Sequence, residues 1–180
     1  LKLNPELKDG FKEGLTIKAI AYKQGFKASF VSTAVYQKIT TNYTIKINSE
    51  INKSFTGGGN DALIDGVRGA INWRVGNRWQ GVWGKDFEAI LDLEKVQNVN
   101  TVTIGSLQDT QAWIVFPPET EFYIAGDDMN FKLISTIKAP TEANDYNIQI
   151  KELGSKVNAD CRYIKIIAKN YGKLPSWHEG

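Results

Sequence analysis

The sequence predicts an all-β protein, an antiparallel sandwich or barrel, on three observations. Segments of about seven to nine residues alternate apolar and polar side chains with period two, or run β-branched and aromatic. Each is bounded by Gly, Asn, Asp or Pro, and they recur at roughly ten-residue spacing. No window carries a convincing 3.6-residue apolar stripe, so strands follow strands without intervening helices.

The elements follow in order. LTIKAIAYK (15–23) and FVSTAVYQK (30–38) are strands joined across Lys23-Gln-Gly-Phe-Lys27, with Gly25 as the natural turn residue. YTIKINS (43–49) opens the remainder. Two long loops come next, Phe55-Thr-Gly-Gly-Gly-Asn-Asp61 and a Trp- and Gly-rich stretch over 66–86. Then FEAILDL (87–93), NTVTIGSL (100–107), TEFYIAG (120–126), FKLISTI (131–137), YNIQIKEL (146–153) and CRYIKIIAK (161–169) read as strands. In the last, Ile164, Ile166 and Ala168 share one face, with Tyr163, Lys165 and Ile167 on the other. Residues 107–114 can form a helical turn.

The organisation splits near residue 40. Two strands cannot hide an apolar face by themselves, so 1–40 is either the tail of a truncated domain or a ribbon docked on the main body, 41–180. The chain opens without an initiator Met, which suggests a piece of something larger. At 180 residues, a single large core is within reach.

Composition narrows the function classes. With 22 basic and 20 acidic residues the charge is nearly balanced, which argues against a nucleic-acid binder or a polybasic membrane binder. The first 40 residues hold 7 lysines against 3 acids, the rest 15 basic against 17 acidic residues. One cysteine, Cys161, excludes an internal disulfide framework and reads as a small core residue. No apolar run approaches the ~20 residues of a membrane span. Catalysis is weakly supported. The one histidine, His178, lies near the C-terminus, and Asp86, Asp109, Asp127 and Asp128 show no spacing that separates a catalytic pair from solvated turn residues. Gly57-Gly58-Gly59 lacks the Gly-Lys-Ser/Thr of a phosphate loop.

A metal is more plausible. Asn60–Asn72 offers hard oxygen donors in a turn-rich segment, and calcium uses main-chain carbonyls freely. Asp65 has a competing role, capping its own turn. The densest signal is WRVGNRWQGVWG, three of the five tryptophans within residues 73–84 among glycines, arginines and an asparagine. Such rings, with Arg74, Asn77, Arg78 and Gln80 beside them, suit a concave ligand site in which an indole stacks on a sugar ring. The open platform expected is Trp73 and Trp79, with Trp83 more buried and Trp113 in a packing role. Trp177 reads either way.

Taken together, ALIDG, NRWQG with Asp86, SLQD…WI…P and PSWH resemble the discoidin-like (coagulation-factor type C) domain. More narrowly, residues 41–180 are similar to family-32 carbohydrate-binding modules appended to bacterial family-20 β-hexosaminidases of chitobiase type. GLTIKAIAYKQGFKASFVSTAVYQK resembles the last strands of the small β-domain that precedes such modules. The resemblance implies an eight-stranded, galactose-binding-domain-like jelly-roll sandwich. It also implies a structural calcium ligated by Asp65, with Ala62, Arg68 and Asn72 as further donors, and a final strand beyond Gly180 that completes the site. It places Trp73, Arg74, Trp79, Gln80, Asp109 and Trp113 in the ligand loops. The function expected is non-catalytic tethering of a secreted, periplasmic or cell-surface glycoside hydrolase to terminal galactose- or N-acetylhexosamine-type sugars, with the parent's catalytic domain as the other partner. A structural accessory domain that packs without binding sugar is the alternative; an adhesion or lipid module is a third reading.

Overall fold

The computed structural model describes residues 15–36 and 41–178. The chain divides into two compact units, Leu1–Thr41 and Asn42–Gly180. In the first, β1 (Leu15–Ala19) and β2 (Ser32–Tyr36) pair antiparallel, Leu15 opposite Tyr36 and Ala19 opposite Ser32. Both are shorter than expected, and residues 37 and 38 lie outside the described ones. Gly25 takes the left-handed φ of 82° that its turn requires.

The second unit holds β3 (Thr44–Ile47), β4 (Phe87–Gln108), β5 (Glu119–Ala125), β6 (Lys132–Lys138) and β7 (Gln149–Ala168). They are ordered β3-β4-β7-β5-β6, with every neighbouring pair antiparallel. Two strands are far longer than the sequence suggested. The expected 87–93 and 100–107 are one 22-residue strand, and 149–168 absorbs two others. The polar stretches that look like chain reversals are bends. Glu94 and Asn158 adopt φ of 70° and 48°, and the β4–β7 register shifts between Asp92 and Gln97 and again between Val99 and Thr101. Such bulges bend and twist a ribbon without ending its pairing.

The bend makes the layers. Beyond it, Val102 packs with Leu93, Phe122, Cys161 and Ile164, while Leu153 packs with Phe116 and Ala139. The far half of the β4–β7 ribbon thus folds over the sheet containing β5, giving a sandwich in which each long strand runs in both layers. Phe116, Phe122 and Cys161 are fully buried, each of the phenylalanines contributing about 1.5–3 kcal/mol of apolar burial. Burial also pushes the Cys161 thiol up from its ordinary value.

Candidate functional site

The two long loops are stitched side by side by their main chains. Asn52 N–H donates to Gly81 O at 2.8 Å, Gly81 N–H donates to Phe55 O at 2.9 Å, and Thr56 bridges Gln80. Asn77, in a left-handed conformation that asparagine tolerates, adds a bond from its Nδ2 to Thr56 Oγ1 at 3.0 Å. This lattice fixes the indoles. Trp79 donates Nε1–H to Ala70 O at 3.0 Å. Its ring lies against Gly69 so closely that an added Cβ would come 2.2 Å from Cε2. Trp73 donates Nε1–H to Asp109 Oδ2 at 2.8 Å. The Arg74 guanidinium sits 4.1 Å from the Trp73 ring centroid, and Phe55 meets that ring at 5.7 Å and 59°.

Asp109 is the anchor. It is 3% exposed, and a carboxylate so buried needs partners. It has Trp73 and, at 3.4 Å, Arg74 Nη1. Its main chain pairs in both directions with Ile114, enclosing a 3-10 turn at Thr110–Ala112. Beside this assembly opens a hollow of about 250 Å³ lined by Ser54, Phe55, Trp73, Arg74, Asn77 and Trp79.

Three of the expected ligand residues, Trp73, Arg74 and Trp79, line the hollow, and Asp109 holds two of them from behind. Gln80 turns away: its Nε2 donates to Gly59 O at 2.7 Å, and its Oε1 is buried without a partner among the described residues. Trp113 stands outside the hollow. Ring exposure is the reverse of the sequence reading. Trp73 and Trp79 are half-buried walls, each covered on one side, whereas Trp83 is 77% and Trp113 58% exposed. A left-handed turn at Gly84 separates Trp83 from β4, so it does not share the strand's inward alternation. Phe55 and Ser54 carried no ligand signal in the sequence, beyond an apolar residue at the mouth of a glycine run.

The metal-ligand set can be placed in part. Ala62 lies in the 3-10 turn Asn60–Leu63. Asp65 Oδ1 accepts Val67 N–H at 2.7 Å, the turn-capping role. Arg68 sends its guanidinium to Glu152 at 3.0 Å, and the Asn72 carbonyl accepts Val75 N–H at 3.2 Å. One carboxylate and main-chain carbonyls are hard donors that fit calcium in kind; among the described residues no cluster of three acidic, His or Cys side chains adds to them.

No protein-family model matches the chain, and no curated protein matches it either. Solved structures do. CpGH89CBM32-4 from Clostridium perfringens, in complex with GlcNAc-α-1,4-galactose, aligns at TM-score 0.50 and 13% identity, over 78% of this chain and 83% of its own. CpGH89CBM32-5 from the same organism, in complex with GalNAc-β-1,3-galactose, aligns at 0.47 and 18%, over 72% and 85%. The C-terminal domain of a Bacteroides fragilis chitobiase aligns at 0.40 and 18%, over 73% and 83%. On the first of these alignments, with its layered antiparallel strands, the chain has the β-sandwich fold of the family-32 carbohydrate-binding modules.

Proposed function

We propose that the unit 42–180 is a non-catalytic carbohydrate-binding module whose hollow receives one terminal sugar ring of galactose or N-acetylhexosamine type. The observation that carries this reading is the hollow's lining. Three aromatic walls and the polar Ser54 and Asn77 surround it, with a guanidinium 59% exposed yet tethered to a buried carboxylate. With Nη1 turned to Asp109, Arg74 holds the remaining N–H donors of its planar fork in a fixed place, which suits the hydroxyls and ring oxygen of a pyranose. That a module sharing the fold was solved with a sugar supports the ligand class.

In this reading the module keeps a secreted, periplasmic or surface-attached glycoside hydrolase of β-hexosaminidase or chitobiase type near its substrate, and the hydrolase's catalytic domain is its neighbour in the chain. Residues 1–40 would then be the closing strands of a small preceding domain. A shallow seat for one ring binds weakly, in the millimolar range (about −4 kcal/mol), and usefulness comes from raised effective concentration. Asp65, with the carbonyls of Ala62, Arg68 and Asn72, would hold a structural calcium that stiffens the loop beside the hollow.

Titration of tryptophan fluorescence with galactose, N-acetylgalactosamine and N-acetylglucosamine tests the proposal. Saturable binding, weakened at least about tenfold by Arg74→Ala, a loss of about 1.4 kcal/mol, is expected. No response to any of them at high millimolar concentration would favour the alternative, a structural accessory domain. That reading draws on the half-covered indoles: Trp79 seated on Gly69 and Trp73 under Arg74 also serve to lock the loops.

A further inference from the structure

Asp109 and Thr110 are consecutive, and each holds a different group of rings. The Asp109 carboxylate holds Trp73 and Arg74. The Thr110 carbonyl, 2.7 Å away, accepts from His178 Nε2, which therefore carries the proton. His178 packs against Trp113 at 6.4 Å and 76° and against Trp177 at 6.0 Å and 45°. Trp177 in turn meets Tyr146 edge-on at 6.4 Å. Thr110 itself is fully buried, its hydroxyl donating to Asp145 O at 2.8 Å. The turn between the two ring groups is thus pinned from behind.

Trp113 is the most exposed ring of the second group, at 58% against 37% for Tyr146, and its backbone is strained. It sits at φ 62°, a left-handed conformation in which a bulky side chain is an outlier. Its N–H bond to Thr110 O and the flanking Asp109–Ile114 pair enforce that conformation. The outcome is an indole 58% exposed to water on a rigid turn. An aromatic face already fixed in place loses little freedom when a ligand stacks on it. Exposed Gln111, two positions before Trp113, puts a hydrogen-bonding amide on the same turn, and a flat ring beside polar groups is a surface that suits a sugar.

We propose that Trp113 is the stacking platform of a second sugar subsite, taking the ring next to the terminal one, so that the module selects glycans of two or more residues. The hollow lined by Trp73 and Arg74 seats the terminal ring, and one turn links the two seats, Asp109 at its start holding Trp73 and Arg74 and Trp113 near its end. This inference rests on the sugar-binding reading of that hollow.

Trp113→Gly is the informative variant, because glycine accepts the left-handed backbone while the platform disappears. Calorimetric titrations compare lactose, N-acetyllactosamine and N,N′-diacetylchitobiose with their non-reducing-end monosaccharides. At least one disaccharide should bind the parent protein about tenfold more tightly than its monosaccharide. In Trp113→Gly that advantage should vanish, the ratio of disaccharide to monosaccharide affinity falling to about one. Monosaccharide binding with no disaccharide advantage, or an equal loss of both in the variant, overturns the subsite and leaves the hollow as the seat of one ring. Failure of every sugar to bind the parent protein overturns both.

Discussion

The indole N–H of Trp73 lies 2.8 Å from Oδ2 of Asp109, 36 positions away in the chain, and that carboxylate is 3% exposed. A buried charge holding a donor from another loop makes the loop cluster one object. Asp109→Ala leaves the Trp73 N–H without its acceptor and frees Arg74, so urea unfolding should show a loss of about 1–3 kcal/mol. Asp109→Asn keeps an acceptor for the indole and should lose less, while still weakening sugar binding through Arg74. An Asp109→Ala protein as stable as its parent would contradict the anchoring role.

Gly69 is the second support of the same wall. Its backbone is not in the left-handed region, so alanine is conformationally welcome there, but the new Cβ would stand 2.2 Å from Trp79 Cε2. The ring must move. Gly69→Ala is expected to destabilise by about 1–3 kcal/mol, the usual penalty for overpacking, and to shift tryptophan emission as Trp79 leaves Ala70. Gly58→Ala is the control: φ there is 104°, nothing lies within 4 Å, and its effect should come from backbone strain alone, with unchanged emission.

Acid stability should report the bend in β4. Arg162 grips Asp92 through Nε at 3.0 Å and Nη2 at 3.1 Å, and reaches Asp127 with Nη1 at 3.0 Å. This hydrogen-bonded grip, aided by Glu94 N–H, holds the Asp92 carboxyl below the usual carboxylate range, against an opposing push from burial. A depressed folded-state pKa gives stability that is present above the unfolded value, about 3.9, and lost as pH falls through the folded one. Asp92→Asn should therefore lower the melting temperature at pH 7. The gap to the parent should close as pH falls below about 4, and it should narrow in high salt because the pair is partly exposed. A gap that is constant from pH 7 to pH 2 would show that the ion pair contributes nothing.

Much of the fold was legible because alternation survives within strands: the strand expected at 120–126 is β5, in which Thr120 and Phe122 are buried between half-buried neighbours. The fusion of four expected strands into β4 and β7 was not. Glu94 and Asn158 adopt left-handed backbones at positions where the sequence shows only polar residues, and only the β4–β7 pairing distinguishes a bend there from a loop. The site divides in the same way. A crowd of tryptophans among glycines is visible in the chain, but which ring faces water depends on Gly69 against Trp79, Arg74 over Trp73 and the left-handed turns at Gly84 and Trp113. Those are tertiary contacts or backbone choices that spacing does not encode.

The two roles assigned to Asp65 can be separated by a single atom change. As a cap, it needs only an acceptor oxygen for Val67 N–H, now at 2.7 Å, and asparagine supplies one. As a calcium ligand it needs its charge, since a hard divalent cation draws much of its affinity from carboxylates. Asp65→Asn in calcium-free buffer should melt within about 2 °C of the parent, as expected when a local cap is retained. Adding millimolar calcium should then raise the melting temperature of the parent and not of the variant, by ligand-linked stabilisation of the folded state. A parent protein indifferent to calcium and chelator alike would reduce Asp65 to its cap. Asp65→Ala would then destabilise by about 1 kcal/mol, the ordinary worth of such a bond, whatever metal is present.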